Sequence, residues 1–278
     1  MIVIRLFLGL CLSGLIGLVA YRRGALTLSG VFGAVAVGTC IVGFGGWAWG
    51  LLLVAFFVSS SLLSLYRWRD KIALSDKFAK RHRRDLGQTL ANGGLGALLA
   101  LGYRIAPGPV WLAAFVGAMA TVTSDTWATE AGVLSRQTPR LITTWRKVVR
   151  GTSGGVTRDG SLAALAGGLF IGLCAMLFLK AEQLAVGQII PFEHLWPVLA
   201  MGGISGLAGA FIDSVLGASV QGIYYCDVCH KETEQFVHRC GSATRRLRGW
   251  KWLDNDLVNL MSSAVGALVA AGLTSWLL

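Results

Sequence analysis

Apolar runs of about twenty residues, separated by connections that are by turns strongly basic and nearly uncharged, constrain this chain more than any other feature. One run of that length crosses the hydrocarbon core of a bilayer as a helix. Such runs fall near 2–20, 25–45, 47–66, 89–106, 109–133, 160–180, 195–220 and 257–277. Of 25 Lys and Arg residues, 22 lie in alternate connections: Arg22 and Arg23, eight in 67–88, six in 135–160 and six in 221–256. The intervening connections, around 45–47, 104–109 and 181–194, are short and carry little positive charge. Basic connections stay on the cytoplasmic side, so eight crossings put both termini outside. The sequence therefore predicts an all-α, polytopic transmembrane helix bundle of eight membrane helices, one domain over residues 1–278. Its cytoplasmic loops are 67–88, 135–160 and 221–256.

Composition supports this reading and excludes another. With 54% hydrophobic and 14% charged residues, the chain is too apolar for a soluble domain of its length. Its net charge of +11 would suggest nucleic-acid binding in a soluble protein, but the placement of the charges makes it a topology signal. No nucleic-acid partner is expected; the lipid bilayer is. The run from Ile2 to Ala20 has no Lys/Arg cluster before it and no small-residue cleavage site after it, and reads as a membrane helix rather than a secretory signal. Glycines recur through the runs, as close helix packing in lipid requires.

Polar residues inside apolar runs carry the functional information. An acid there costs roughly 2.5–3.5 kcal/mol on insertion scales and needs a partner, water or an ion. Asp125, Glu130 and Asp213 are the acids of this kind. Asp125 and Glu130 stand about 140° apart round a regular helix, so one ion does not take both unless the helix breaks. Asp125 shares a face with Thr121, Thr129 and Gly132. Glu130 is left as a cofactor contact or the partner of an arginine.

The segment RKVVRGTSGGVTRDG follows. Lys147 and Arg150 precede Gly151, Thr152, Ser153, Gly154, Gly155 and Thr157, whose amides and hydroxyls can ring a phosphate at the start of the next helix. The spacing is not that of a P-loop, and a plain tight turn is the alternative. Further on, FIDSVLGASVQG aligns Asp213, Gly217 and Gln221 on one helical face. Asp213-Ser214 echoes Asp125-Thr126, and a second carboxylate would let two acids share one divalent ion.

Two helix entrances are also polar. Asp85, Gln88 and Asn92 share one face, which must look into the bundle, whereas Lys80, Arg81 and Arg83 read equally well as solvated charge. In GWKWLDNDLVNLMSS, Trp250 and Trp252 suit the membrane interface. Asp254 or Asn255 suits a helix cap, and Asp256 and Asn259 share a face turned to the site. The spacing Cys226-x2-Cys229-x8-His238-x-Cys240 offers a closed tetrahedral zinc site in segment 226–240, with His230 able to replace His238 and free thiols as the alternative. Any zinc there is structural. Cys11, Cys40 and Cys174 read as small core residues, and His82 and His194 are assigned nothing.

The segments RRDLGQTLANGG, SDTWATEAG, PRLITT, RGTSGGVT, FIDSVLGASVQG and LDNDLVNLMSS resemble, in order, the motifs of the integral membrane family that includes plant and cyanobacterial phytyl-phosphate kinase. More distantly, S-D-T and E-x-G followed by R-G-T-S-G-G is similar to the pattern of dolichol kinase and phosphatidate cytidylyltransferase, which use CTP and magnesium. Thr129 stands where relatives are expected to have serine, which keeps the hydroxyl. The resemblance implies a CTP-dependent kinase, or one using another nucleoside triphosphate, that converts a prenyl monophosphate such as phytyl phosphate to its diphosphate. It acts at the cytoplasmic face of a cell (inner), cyanobacterial or plastid-type membrane. Carried onto this sequence it implies Asp125, Asp213 and Asp256 as Mg2+ ligands, with Asp85 catalytic beside Asp125 and Asp213. Glu130, Lys147, Arg150 and residues 151–157 would meet the nucleotide, and Arg84, Gln88, Asn92, Gln221 and Asn259 the substrate phosphate. Phosphoryl transfer asks mainly for charge neutralisation and positioning, which these residues offer. A lipid-phosphate transporter or flippase, and a CTP-dependent cytidylyltransferase, are the alternatives; transport would set the polar groups at mid-membrane.

Overall fold

The computed structural model describes residues 2–66, 83–185, 187 and 195–277. Lys80, Arg81, His82, most of the basic loop 67–88, and His194 lie outside these residues. The described residues form eight α-helices: α1 (Ile2–Arg22), α2 (Leu28–Cys40), α3 (Trp47–Leu65), α4 (Leu86–Ile105), α5 (Pro109–Leu134), α6 (Arg158–Ala185), α7 (Trp196–Ser219) and α8 (Asn255–Leu277). A π-helical turn, Ile41–Gly45, extends α2, and Gly46 alone joins it to α3. By length and composition six of these segments can cross a membrane: α1, α2 with its π turn, α3, α6, α7 and α8 up to Thr274. The remaining two, α4 and α5, carry Gln88, Asn92, Asp125 and Glu130, while Asp213 lies on α7 and Asp256 and Asn259 on α8.

Helix α5 is the axis of the bundle, packed against α3, α4, α6, α7 and α8. Twelve consecutive residues, Ala113 to Ser124, are buried. A helix enclosed all round can carry hydroxyls only if they find partners. Thr121 Oγ1 donates to the Ser205 carbonyl at 3.2 Å, and Ser124 Oγ to the Ala164 carbonyl at 2.7 Å, tying α5 to α7 and α6. Small residues let these backbones approach: a Cβ built on Gly168 of α6 would lie 2.6 Å from the carbonyl oxygen of Gly202 on α7. Apolar burial does not drive helices together in lipid, so such contact has to. Helix α1 is the opposite case. It buries only Gly9, Gly17 and Ala20 and turns Val3, Ile4, Phe7 and Leu15 outward. Cys11, expected in the core, is exposed on this helix, while Cys40 and Cys174 are half-buried.

The basic connections gather on one face. Arg84 N donates to the Ala25 carbonyl at 2.9 Å, and Thr27 N to the Arg84 carbonyl at 3.0 Å, joining the α1–α2 and α3–α4 connections. On the same face β1 (Arg140–Leu141) pairs antiparallel with β2 (Gly155–Val156). The connection 220–254 is folded as well. Strands β3 (Ile223–Cys226), β4 (Lys231–Thr233) and β5 (Arg245–Arg248) form an antiparallel sheet in the order β4-β3-β5, with Tyr224 opposite Thr233 and Arg246 and an irregularity between Ile223 and Tyr224. The sequence reading treated this segment as a loop. Its strands are only three or four residues long, too short for their pattern to stand out.

Candidate functional site

Asp125 comes from α5 and Asp213 from α7, near enough that the charge of Asp125 acts on Asp213, and both are half-buried. Asp213 Oδ2 accepts from Ser262 Oγ of α8 at 3.1 Å. No basic side chain among the described residues makes an ion pair with either acid; the ion pair present there, Arg245 with Asp227, lies on the surface. Neighbouring carboxylates repel, and acids inside membrane helices are stabilised by pairing, water or a bound ion. The donor set is hard oxygen, which suits Mg2+. Asp125 opens onto a cleft of about 430 Å³, its mouth included, lined also by Thr129, Gly132, Gly155, Thr157 and Ser214.

The glycine-rich turn closes this cleft. Gly151 and Gly154 have φ of 76° and 80°, a region where side chains are strained. Gly154 also sits on α7: a Cβ there would lie 2.4 Å from that of Ala218. Thr157 caps α6, its Oγ1 accepting from Gly160 N at 3.0 Å. Ser153 Oγ donates to Gln221 Oε1 at 2.7 Å, and Gln221 Nε2 donates to Glu234 Oε1 at 3.0 Å. Lys147 is exposed and Arg150 half-buried on the approach to the turn, beside exposed Val149. Asp125, Gly155 and Thr157 thus line one cleft, while the charge of Asp125 acts on Asp213 and Ser153 of the turn is bonded to Gln221.

Glu130 turns elsewhere. Its carboxylate accepts a short hydrogen bond from Ser64 Oγ of α3 and acts on Arg84 through its charge. Arg84 donates Nη1–H to Ser61 Oγ at 3.1 Å and lies over the rings of Phe56 and Phe57, at 5.5 and 5.4 Å from their centroids. Burial lowers its guanidinium to about 10 against the opposing pull of Glu130. Arg84, Gln88 and Asn92 stand at the polar end of an otherwise apolar cleft of about 660 Å³, mouth included, whose walls include Ile16, Val37, Leu53, Val54 and Phe57 from α1, α2 and α3. Asp85 and Gln88 also form a reciprocal capping box at the start of α4.

At the start of α8, Asp254 caps the helix, its Oδ1 accepting from Leu257 N at 3.0 Å. Asp256 and Asn259 follow on the helical face that continues from Ser262, and neither lines the Asp125 cleft. On the sheet, one donor atom each from Cys226, Cys229, His238 and Cys240 lies within 4.8 Å of all the others. His238, not His230, completes this set; His230 instead occupies the left-handed region at φ 52°.

Three participants escaped the sequence reading. Glu234 acts through its charge on both Asp125 and Asp213. Ser262 supports Asp213. Arg248 donates from Nη1 to the carbonyls of Gly217 and Ala218 at 2.8 and 2.6 Å, and from Nη2 to that of Ser153 at 3.4 Å, riveting the end of α7 to the glycine turn. A cation on helix C-terminal carbonyls is favourable, but burial still lowers the Arg248 guanidinium, with Glu232 opposing. The cysteine spacing drew attention to the loop that holds Glu234 and Arg248, but not to those two residues.

The profile of the family described as "Integral membrane protein DUF92" matches residues 11–267. Protein PGR of Arabidopsis thaliana is 33% identical over 277 residues, covering 93% of this chain and 92% of its own. An uncharacterized membrane protein of Methanocaldococcus jannaschii is 32% identical over 222 residues, 77% of this chain and 83% of the relative. Protein VTE6 of Arabidopsis thaliana, named as chloroplastic, is 30% identical over 250 residues, 88% of this chain and 64% of its own. No solved structure matches.

Proposed function

Because the chain belongs to the DUF92 family of integral membrane proteins, we propose that it is a membrane-embedded phosphotransferase. It moves the terminal phosphoryl group of a nucleoside triphosphate, CTP by resemblance, to a prenyl monophosphate such as phytyl phosphate. The observation that carries this reading is that Asp125 shares a cleft with the glycine-rich turn and acts by its charge on Asp213, an acid from a separate membrane helix. The motif resemblance points to the same chemistry.

In this reading Asp125 and Asp213 hold a divalent ion, and Asp256 stands ready on the adjoining face of α8. The ion supplies charge neutralisation on the triphosphate. The turn at 151–157 offers backbone amides to the donor phosphates, with Lys147 and Arg150 adding positive charge at its approach. Ser153 is held in place through Gln221. Arg84 receives the acceptor phosphate while the apolar cleft behind it takes the prenyl chain. One acceptor oxygen forms a bond to the transferred phosphorus as the bond from that phosphorus to the departing nucleoside diphosphate breaks. The product is a prenyl diphosphate. Such a transfer needs in-line positioning rather than a dedicated nucleophile.

The test is purified protein in detergent, offered CTP or ATP, magnesium and phytyl phosphate, with Asp125→Asn in parallel. Formation of the diphosphate by wild type alone supports the reading. Appearance of a CMP-lipid product would make the protein a cytidylyltransferase, and no product with any donor would overturn enzymatic transfer.

A further inference from the structure

The connection 220–254 has its own problem of stability. A segment of some thirty residues with strands of three and four residues cannot bury enough apolar surface to hold a fixed shape outside the membrane, and units of that size rely on disulfides or metals. Its cysteines are free. They converge with His238 on one point: Cys226 Sγ and Cys240 Sγ are 3.6 Å apart, and His238 Nδ1 is 3.3 Å from Cys240 Sγ. Zinc bonds of about 2.3 Å to sulfur and 2.0–2.1 Å to nitrogen give tetrahedral edges of about 3.8 and 3.5 Å. The spacings are near those edges and far from a disulfide bond. Cys229 N–H points at Cys226 Sγ, 3.5 Å away, and His230 adopts its left-handed conformation directly after Cys229. Those two features fold the chain back so that both thiols of the Cys-x2-Cys pair face inward.

Glu234 lies within the loop that this cluster closes, five residues after Cys229 and four before His238. It accepts from Gln221, which in turn accepts from Ser153 of the glycine turn. Phe236, two residues on, packs against Tyr224 of β3 with centroids 4.8 Å apart. The segment bearing Glu234 is therefore pinned between the cysteine cluster and the glycine turn, within reach of the charges of Asp125 and Asp213.

We propose that Cys226, Cys229, His238 and Cys240 hold a structural zinc ion, and that closing this knuckle seats Glu234 against Asp125 and Asp213 as a third acid at the divalent-ion site. The zinc ion stands on its own evidence. The role of Glu234 rests on the reading of the acid pair given above.

Full-length protein purified in detergent without chelators is analysed for zinc by mass spectrometry, and Mn2+ is titrated by electron paramagnetic resonance as the probe of the acid pair. Wild type is expected to carry one zinc per chain. Glu234→Gln keeps the zinc, as does His238→Cys, which supplies a thiolate instead; Cys229→Ser loses it. Mn2+ affinity falls about tenfold or more, the effect of losing support around a metal, in Glu234→Gln and Cys229→Ser, and is unchanged in His238→Cys. Wild type free of zinc that takes up none from added zinc chloride overturns the knuckle. Unaltered Mn2+ binding in Glu234→Gln overturns the coupling, whether or not Cys229→Ser folds. Zinc-loaded wild type that binds no Mn2+ removes the acid-pair reading and the coupling with it, while the knuckle stands.

Discussion

The two halves of the bundle share close glycine contacts but differ in what fills the space between them. Helices α5 to α8 touch through glycine, alanine, serine and threonine, with backbones so close that a single added carbon at Gly168, Gly202 or Gly206 would clash. Helices α1 to α4 also approach closely at Gly30 and Gly33, but Leu26, Val37, Leu53, Phe56 and Phe57 line a cleft between them. Close backbone contact fixes positions to fractions of an ångström, as a site for a multiply charged group requires. Walls of flexible aliphatic side chains tolerate a hydrocarbon chain of variable shape and cost little when it slides. Under the proposed function the rigid half would hold the donor and the compliant half the acceptor. This division is the claim that substitutions can break.

The largest effect is expected in the rigid half. Asp213→Asn removes one charge of the pair and is expected to reduce the transfer rate about a thousandfold, the scale on which one preorganised electrostatic group acts. The check is the initial rate of prenyl diphosphate formation at saturating donor and acceptor. Retention of more than a tenth of the activity would detach Asp213 from the chemistry. Next comes Gly154→Ala, which forces a side chain into the left-handed region and against Ala218. It is expected to destabilise by about 1–3 kcal/mol, seen as a melting temperature several degrees lower. Gly14→Ala on α1, where an added Cβ meets nothing within 4 Å, should leave the melt unchanged, and equal effects at the two positions would erase the contrast between halves.

Arg84→Gln addresses the junction between the halves. Losing a charged hydrogen-bond donor to the acceptor phosphate is worth about tenfold. The expected outcome is a tenfold rise in KM for phytyl phosphate with KM for CTP unchanged. A rise in the CTP value instead would move Arg84 to the donor side.

Much of this plan was legible in the sequence, and the reasons differ by element. Apolar runs of membrane length and alternating charge reveal the helices because the bilayer imposes both, so the bounds of α3, α5 and α8 fall within two residues of those read from the runs. Asp125 and Asp213 announced themselves because an acid among apolar residues is costly. The divergence of Glu130 from Asp125 followed from helical geometry alone, and the structure sends it to Ser64 and Arg84. Glu234 and Arg248 stayed hidden because they act from the charged connection 220–254, where charged residues are ordinary and only the tertiary fold aims them inward. The same holds for Asp85: its polar face pointed to a ligand, but its backbone neighbour Gln88 also claims it for a capping box, a pairing that D-x-x-Q spacing could have flagged.

The smallest effect should come from the cleft wall itself. Val54 lines the apolar cleft, and Val54→Phe narrows it without adding or removing a polar group. In a rigid pocket one methylene commands about tenfold discrimination. In a compliant one, neighbouring side chains shift and the loss shrinks to about threefold, falling on long prenyl chains and sparing short ones. The measurement is kcat/KM for a series of prenyl monophosphates of increasing length. If the ratio of long to short acceptors does not move, the chain lies elsewhere against the bundle. If it moves by a hundredfold, the cleft is as unyielding as the acid site, and the two halves differ in what they bind but not in how firmly they hold it.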